Sequence, residues 1–230
     1  INDLIKWGTP FDKNENNQFD LAKEGGHSAA RIYHYKDQTG FAIQSTLLEA
    51  VKQFTNIEVI AYKSLIQAVK PNKHLFSLQL YDTQNKTFSN MCCKQLVLAT
   101  GGLGMLFKKT TNQHVSSGNG ILIAKALGAN IENIAYIQFH PTGLFQEGNI
   151  AFLISEALRG AGAVLRNESG AAFMAKYDAR LDLAPRDIVS RAILQEIERQ
   201  TLKHVYLDAT HIDKVVLNTH FPSIKAACME

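Results

Sequence analysis

Hydrophobic and polar positions follow two different periods along the first half of the chain, which predicts a mixture of helices and strands. Apolar residues at helical spacing predict a helix over 46–54, capped by Ser45. A short strand is expected over 57–61. Alternation over 76–81 and again over 87–92, with a polar stretch between them, predicts a β-hairpin.

An almost wholly apolar run over 95–99 stops at Thr100 and the paired glycines Gly101 and Gly102. Such a run is typical of a strand that is buried on both faces of a parallel sheet. Glycines at the carboxyl end of that strand let a ligand or another backbone come close. A helix is predicted to follow over 117–128, from a serine cap to a glycine stop.

The pattern changes near residue 136, where regular periodicity gives way to an irregular segment. Downstream, the sequence predicts a helix over 151–159, a turn over 167–170 and a long amphipathic helix over 185–199. We therefore expect an α/β fold with a domain boundary near residue 136, which divides the chain into residues 1–136 and 137–230.

The composition is that of an ordinary globular protein, with 230 residues, 46% hydrophobic, 20% charged and a net charge of +3. The basic residues are spread along the chain, so nucleic-acid binding is not expected. No apolar run approaches the roughly 20 residues of a membrane span, so we expect no membrane association and a cytoplasmic location. Cys92 and Cys93 are typical of buried thiols in a reducing compartment. The histidines and cysteines lack metal-ligand spacing, so no metal site is expected.

Arg186 has a position that invites a functional interpretation. Pro185 suits the first position of a helix, which puts Arg186 in the first turn, where the helix dipole disfavours a cation. Either the adjacent Asp187 compensates the charge locally, or the guanidinium faces a bound anion such as a substrate carboxylate. Both interpretations are consistent with the sequence.

Glu156 and Arg159 lie three residues apart on one face of the predicted helix over 151–159. Alone, such a pair is typical of a surface ion pair. Gly160 and Gly162 follow Arg159, however, and glycines let a backbone approach whatever this guanidinium contacts. The glycines therefore favour a binding site over a surface pair.

His140 precedes Pro141, and proline holds the residue before it in an extended backbone outside any helix. A histidine in such a place serves either as a structural residue or as a ligand-binding one. The sequence has no G-x-S-x-G elbow for nucleophilic catalysis. It also has no G-x-G-x-x-G or G-x-x-x-x-G-K phosphate loop of its own.

Four collinear sets of motifs from about residue 20 onward resemble the succinate dehydrogenase/fumarate reductase flavoprotein family. They are EGGHS at 24–28 with D-x-T-G at 37–40, LATGG at 98–102 with SSGNG at 116–120, QFHPT at 138–142, and SEALRG at 155–160 with APRDIV at 184–189. The resemblance implies an FAD-binding domain interrupted by a capping domain, with a dicarboxylate substrate between the flavin and the cap.

On this resemblance, residues 1–136 are the central part of a Rossmann-like FAD-binding domain and residues 137–230 are most of the cap. The G-x-G-x-x-G strand of the family is not among them, so we expect the chain to be a central piece of a longer flavoprotein.

The resemblance also implies roles for individual residues. Arg186 would be the acid/base that exchanges a proton with a substrate carbon while hydride passes to or from the flavin, and Glu156 and Arg159 would form its proton relay. An arginine normally keeps its proton up to about pH 12, so a neighbouring carboxylate must accept it. The expected substrate-binding residues are His140, Thr142, Ser155 and Glu24. The expected FAD-lining residues are Ser64, Leu65, Thr100, Gly101, Gly102 and Asn119.

Glu24 bears on the substrate, because succinate and fumarate enzymes of the family have a neutral glutamine at this position. A carboxylate here can pair with the ammonium group of an amino dicarboxylate. The resemblance therefore implies oxidation of L-aspartate to iminoaspartate in NAD biosynthesis, with oxygen or fumarate as the electron acceptor. An association with the next enzyme of quinolinate synthesis is also implied. The alternatives are a succinate dehydrogenase or fumarate reductase flavoprotein subunit, and a non-catalytic chain unable to retain FAD.

Three positions depart from the family pattern. Asn119 stands where aspartate is usual, Ala161 where glutamate is usual, and Ala172 where arginine usually precedes Phe-Met. Asn119 keeps hydrogen-bonding capacity without the charge. The two alanines together remove one expected carboxylate and one expected guanidinium, which is either a compensated change or a loss of function at the site.

Overall fold

The computed structural model describes residues 1–24, 27–146 and 151–229, so Gly25 and Gly26 of the EGGHS motif lie outside the described residues. The chain forms two compact units. The first comprises Ile1–Ile57, Gln138–Gln146 and Phe152–Glu230, and the second Glu58–Ile137 with Ala151. The mixture of helix and sheet is confirmed. The predicted boundary at residue 136 separates the FAD-binding and capping domains of the family. The two compact units do not test this boundary, so it stays a prediction.

The first unit is mainly helical, with two small antiparallel sheets. Its helices are α1 (Asn2–Lys6), α2 (Thr39–Val51), α4 (Glu156–Gly160), α5 (Arg186–Glu198), α6 (Lys214–His220) and α7 (Pro222–Ala227). Strand β1 (Leu21–Ala22) pairs with β2 (Ile32–Tyr33), and β6 (Val164–Arg166) pairs with β7 (Tyr206–Asp208). Three short 3-10 helices occur in the described chain, two of them here, at Met174–Lys176 and Leu181–Leu183.

Helix α5 follows from the predicted amphipathic pattern, and the prediction is confirmed. Pro185 stands at its N-cap, where the missing N–H of proline breaks no helical hydrogen bond. The buried face of the helix consists of Val189, Ala192, Ile193 and Glu196. The apolar part of that face packs into a core whose other buried members are Leu165, Phe173, Met174 and Ala184. This packing fixes the start of α5 relative to the rest of the unit.

Helix α4 is a single short helix that begins directly after Ser155. It buries Glu156, Leu158 and Arg159, and it ends at Gly160, two residues before Gly162, which has a φ of +110°. Leu158 belongs to a second core whose other buried members are Ile154, Ala163, Ile212, Phe221 and Ile224. Two charged side chains on so short a buried helix need charged or hydrogen-bonding partners.

The second unit is built on an antiparallel sheet in the order β3 (Lys63–Asn72), β4 (Leu75–Asp82), β5 (Thr87–Cys93). The predicted hairpin is confirmed as β4 and β5. Its turn is held by the Asp82 carboxylate, which accepts the N–H groups of Gln84 and Asn85 at 2.9 Å each. Helix α3 (Asn119–Ala126) packs Ile123 against Ala68 and Leu78.

The prediction of a buried strand over 95–99 is wrong. These residues form no strand, and the Val97 side chain is 86% exposed. A strand forms only beside a partner that takes up its backbone hydrogen bonds, and no strand among the described residues pairs with this run. The strand predicted over 57–61 is absent from the described structure for the same reason.

Helix boundaries differ from the predictions at three places. Helix α2 begins at Thr39 instead of residue 46, so Ser45 lies inside it and not at its cap. Gly118, with a φ of +79°, takes the cap position of α3 that was predicted for Ser117. The helix predicted over 151–159 begins only at Glu156, because Gly143 and Leu153 form a β-bridge just before it.

The prediction that Cys92 and Cys93 are both buried is wrong. Cys92 is exposed and Cys93 is partly buried. Neighbouring residues of a strand point to opposite faces of its sheet, so a pair of adjacent cysteines cannot both face one core.

Candidate active site

Arg186 is the first residue of α5, and its guanidinium is held by three acceptors. Its Nε donates a hydrogen bond to Glu156 Oε2. Its NH1 donates to Gln138 Oε1 at 3.2 Å, and its NH2 donates to Glu24 Oε2 at 3.3 Å. The side chain is 34% exposed. The local compensation by Asp187 is not what the structure shows, because Asp187 pairs with Arg191 on the outer face of α5.

Glu156 connects the two arginines of the predicted relay. Its side chain is 3% exposed and lies in the first turn of α4, where the helix dipole favours a carboxylate. One oxygen, Oε2, accepts from Arg186, and the other, Oε1, lies 3.7 Å from Arg159 NH2. The pair is therefore buried and is not the surface ion pair that spacing alone also allowed.

Arg159 is 1% exposed. Its NH1 donates to the backbone carbonyl of Asp182, while Nε and NH2 have no hydrogen-bond partner among the described residues. Burial lowers the pKa of Arg159, and the nearby Glu156 opposes that shift. A guanidinium in such surroundings gives up a proton more readily than one in water, which is the property that a relay requires.

Gly160 shows why glycine follows Arg159. A Cβ on Gly160 would lie 3.1 Å from the carbonyl oxygen of Lys23, so the end of α4 closely approaches the backbone just before Glu24. This close approach helps to bring Glu24, which is distant in sequence, within reach of Arg186.

His140 lies in the irregular segment over 138–142 and is fixed by Thr142. Its Nδ1 lies 3.3 Å from the Thr142 N–H, and the Thr142 hydroxyl donates to the carbonyl of Ile154 at 2.7 Å. Burial, together with the charges of Arg186 and Arg159, lowers the pKa of His140 from 6.5 to about 4. The ring is therefore neutral at pH 7. Because Nδ1 accepts a hydrogen bond, the proton is assigned to Nε2, which can donate to a carboxylate.

Ser155 is half-buried and directly precedes α4. Within the described chain its hydroxyl makes no capping hydrogen bond to that helix, so the hydroxyl is not used for capping.

Gln138 is the residue at this site that the sequence predictions missed. It stands in the QFHPT motif two residues before His140, but nothing in the sequence indicated its contact with Arg186.

The candidate cofactor residues lie in the second unit. Gly101 has a φ of +73°, Gly102 would carry a Cβ into open space, and the Gly102 carbonyl accepts from the Gly118 N–H at 3.1 Å. A Cβ on Gly120 would lie 1.8 Å from Thr100 Oγ1, so the turn packs directly on the start of α3. The N-cap of helix α3 is Gly118, which has no side chain to cap the helix that begins at Asn119. Small residues and free backbone N–H groups fit a bound cofactor.

Ser64 and Leu65 lie on β3, opposite Tyr81 and Leu80 of β4. Ser64 is exposed, whereas Leu65 packs against the core of Ala68, Leu78 and Ile123. A cofactor contact at Leu65 would therefore use its backbone, which lies on an edge strand of the sheet.

The described residues offer neither a metal-ligand cluster nor a membrane-spanning helix. No group of three or more histidine, cysteine, aspartate or glutamate side chains there could hold a metal ion. No helix in the same part of the chain combines the length and apolar character of a membrane span.

The known proteins that resemble this chain in sequence agree with one another in the family that they indicate. A family model described as "FAD binding domain" matches residues 1–230. L-aspartate oxidase of Acinetobacter baylyi is 38% identical over 100% of this chain and 44% of its own length. L-aspartate oxidase of Neisseria meningitidis is 39% identical over 98% of this chain and 45% of its own length. The chain thus spans less than half the length of these curated relatives.

Two solved structures share the fold. A quinol–fumarate reductase with menaquinol molecules matches with a TM-score of 0.88 and 26% identity, covering 98% of this chain and 42% of that chain. Mycobacterium smegmatis Sdh1 in complex with UQ1 matches with a TM-score of 0.70 and 29% identity, covering 99% of this chain and 40% of that chain.

Proposed function

This chain belongs to the succinate dehydrogenase and fumarate reductase family of FAD-binding flavoproteins, and from that premise we propose that it is part of an enzyme that oxidises L-aspartate to iminoaspartate. The observation that carries the proposal is Arg186, whose guanidinium contacts both the buried Glu156 and the carboxylate of Glu24. The first contact supports proton transfer, and the second supports an amino dicarboxylate as the substrate. The L-aspartate oxidases among the relatives support the same substrate.

Oxidation requires one hydride and one proton to leave the substrate. The hydride leaves Cα, and the proton leaves the neighbouring carbon for Arg186. The product is a protonated enamine, which is a tautomer of protonated iminoaspartate and gives iminoaspartate when its extra proton passes to water. Arg186 can accept this proton only after it has passed one of its own to Glu156. The hydrogen bond from Nε to Oε2 would supply that path, and Arg159, whose NH2 lies 3.7 Å from Oε1, would continue it.

On the His140 side of the site, uncharged hydrogen-bond donors hold the carboxylates of the substrate. The Nε2–H of the ring donates to one carboxylate oxygen, while Thr142 keeps the ring in this tautomer. The Ser155 hydroxyl is a further donor, since it is not used to cap α4. A neutral histidine binds a carboxylate without adding a positive charge beside Arg186, which would compete with proton transfer.

Glu24 binds the ammonium group of the substrate. A single carboxylate has two oxygens and several lone pairs, so it can face Arg186 and an ammonium group at once. An enzyme for succinate or fumarate has no ammonium to bind at this point, and a carboxylate there would repel the substrate. The second candidate, a succinate dehydrogenase or fumarate reductase flavoprotein, is favoured by the similarity of fold. Glu24 favours aspartate over it.

FAD, when bound, supplies hydride acceptance. Thr100, Gly101, Gly102 and Asn119 would hold it in the second unit, together with Ser64 and the backbone of Leu65. Asn119 in place of the usual aspartate would serve as a neutral hydrogen-bonding group. Oxygen or fumarate would accept the electrons, and quinolinate synthesis would take up the iminoaspartate, so an association with the next enzyme belongs to the same proposal.

The deciding experiment compares two substrates in the FAD-loaded protein that carries this chain. L-Aspartate and succinate are each mixed anaerobically with the protein, and the bleaching of flavin absorbance is followed. We expect bleaching by L-aspartate and at least about tenfold slower bleaching by succinate, equivalent to about 1.4 kcal/mol of discrimination. Faster bleaching by succinate would establish the second candidate instead.

A further inference from the structure

Hydrogen bonds from Arg186 and Ser190 join α5 to the segment over 138–142. The first is the bond from Arg186 NH1 to Gln138 Oε1 at 3.2 Å. The second comes from Ser190, whose hydroxyl donates to the backbone carbonyl of Phe139 at 2.6 Å. Residues four apart on a helix lie on the same face, so Arg186 and Ser190 reach the segment from the same side of α5.

We infer that Ser190 is a positioning residue, which holds the backbone of the 138–142 segment on α5 and thereby directs Gln138 and His140. The Phe139 carbonyl lies between these two residues in the chain. A peptide group is planar, so a bond that fixes this carbonyl restricts the plane that joins Phe139 to His140, from which the His140 side chain leaves, and it holds the backbone one residue after Gln138. This inference rests on the proposed function, because it assigns Ser190 to the same site.

The hydrogen-bond partner of the Ser190 hydroxyl supports the inference. A serine inside a helix commonly bonds back to the carbonyl four residues earlier in its own helix. Ser190 bonds instead to a different segment of the chain. Alanine is also a better helix former than serine, so the hydroxyl is not needed to make α5 helical.

The far end of the segment is held in a similar way. The Thr142 hydroxyl donates to the carbonyl of Ile154, and the Thr142 N–H faces His140 Nδ1. Pro141 between them has no N–H of its own to donate. Ser190 and Thr142 thus hold the two ends of a short segment that carries one partner of Arg186 and one proposed ligand of the substrate.

The test uses Ser190→Ala, Ser190→Thr and the exposed Gln195→Ala on the same helix, each in the FAD-loaded protein. We expect Ser190→Ala to lower kcat/KM for L-aspartate about fivefold and to raise the Kd for succinate about threefold, as the loss of one modest hydrogen bond would. The thermal midpoint should change little. Ser190→Thr keeps the hydroxyl and should stay within about twofold of wild type, as should Gln195→Ala.

A double-mutant cycle separates positioning from a merely structural effect. Gln138→Met removes the amide that Ser190 is inferred to direct. Adding Ser190→Ala to it should then cost less than half of what the same change costs in wild type, because the two residues act through one segment. Equal costs in both backgrounds would overturn the inference.

The remaining outcomes tell the inference and the proposed function apart. If wild type oxidises L-aspartate but Ser190→Ala stays within about twofold of it, the inference is wrong and the proposed function stands. If wild type binds succinate but does not oxidise L-aspartate, the proposed reaction is wrong, and the succinate Kd alone decides whether Ser190 positions the segment. If it neither binds succinate nor oxidises L-aspartate, both are overturned.

Discussion

The carboxylate of Glu24 lies 3.3 Å from the guanidinium of Arg186, although the two residues are 162 positions apart in the sequence. The residue expected to select an ammonium group therefore also contacts the residue expected to move a proton. An ammonium group that binds to Glu24 shares this carboxylate with Arg186. On the proposed function, substrate selection and proton transfer would therefore meet at one side chain.

Glu24→Gln should move the preference from L-aspartate towards succinate. The amide removes the charge that pairs with ammonium, while it keeps an acceptor for Arg186 NH2. We expect the ratio of kcat/KM for aspartate to that for succinate to fall at least about tenfold, or about 1.4 kcal/mol. Glu198→Gln, an exposed change on α5, is the matched control and should leave the ratio unchanged. An unchanged ratio for Glu24→Gln would remove the basis for preferring aspartate.

Arg186→Gln should abolish most of the catalysis without abolishing the fold. The glutamine lacks the proposed proton-transferring group and leaves the buried Glu156 with Arg159 as its remaining counter-ion, so the free energy of unfolding should also fall. Aspartate-dependent flavin reduction should fall more than about tenfold, and loss of a general acid/base commonly costs about a hundredfold or more. Arg191→Gln removes an exposed arginine one turn further along α5 and should stay near wild type. A loss of less than about tenfold in Arg186→Gln means that the acid/base is another group.

Glu156→Gln should separate substrate binding from proton transfer. Substrate Kd should change little, whereas kcat should fall about a hundredfold, because Arg186 loses the carboxylate that takes its proton. The change also leaves Arg159 buried without its counter-ion, which should cost about 3 kcal/mol of unfolding free energy.

A second buried glutamate provides the control for that experiment. Glu196 accepts from the Tyr177 hydroxyl at 2.7 Å and lies near Lys176 and Arg199. Glu196→Gln should therefore also lower stability but should keep kcat. If both variants lose kcat equally, the effect of Glu156→Gln comes from destabilisation and not from a relay.

His140 should make the folded protein less stable as the pH falls from about 6.5 to 4. Its pKa is lowered from 6.5 to about 4 in the fold, so over this range the unfolded chain binds a proton that the folded one does not, and stability rises with pH. Relative to His140→Gln, wild type should lose on the order of 1 kcal/mol between pH 7 and 5, since solvent screens the partly exposed ring. Denaturant unfolding at both pH values measures this. Parallel curves for the two proteins would show that His140 titrates normally.

Elements set by local periodicity were predictable from the sequence, and elements set by distant partners were not. The hairpin of β4 and β5 and the long helix α5 each follow from a repeat within their own residues. The run over 95–99 has the composition of a buried strand, yet Val97 is 86% exposed. Composition indicates that a segment favours the strand conformation, whereas the strand forms only when a neighbouring strand pairs with it.

The same distinction applies to the candidate site. Arg186 and the pair of Glu156 and Arg159 could be singled out because a helix start and a three-residue spacing are local signals. The contacts of Arg186 with Gln138 and Glu24 join segments that are far apart in the sequence. Hydrogen bonds of this kind leave no periodic pattern, and a resemblance to a family transfers roles without showing which side chains touch.

The isolated 230-residue chain should not retain FAD through purification. The residues expected to line the cofactor, Thr100 to Gly102, directly follow the 95–99 run, whose backbone has no strand partner among the described residues. The turn over 100–102 packs on the start of α3, but without a sheet beside the 95–99 run the backbone that leads into the turn must be ordered when the cofactor binds, and that ordering costs about 1–2 kcal/mol per residue. An absorbance scan of the purified chain should therefore show no flavin, while the same scan of a protein with the length of its relatives should show it. Stoichiometric flavin on the short chain would mean that Thr100, Gly101, Gly102 and Asn119, with β3, suffice to hold the cofactor.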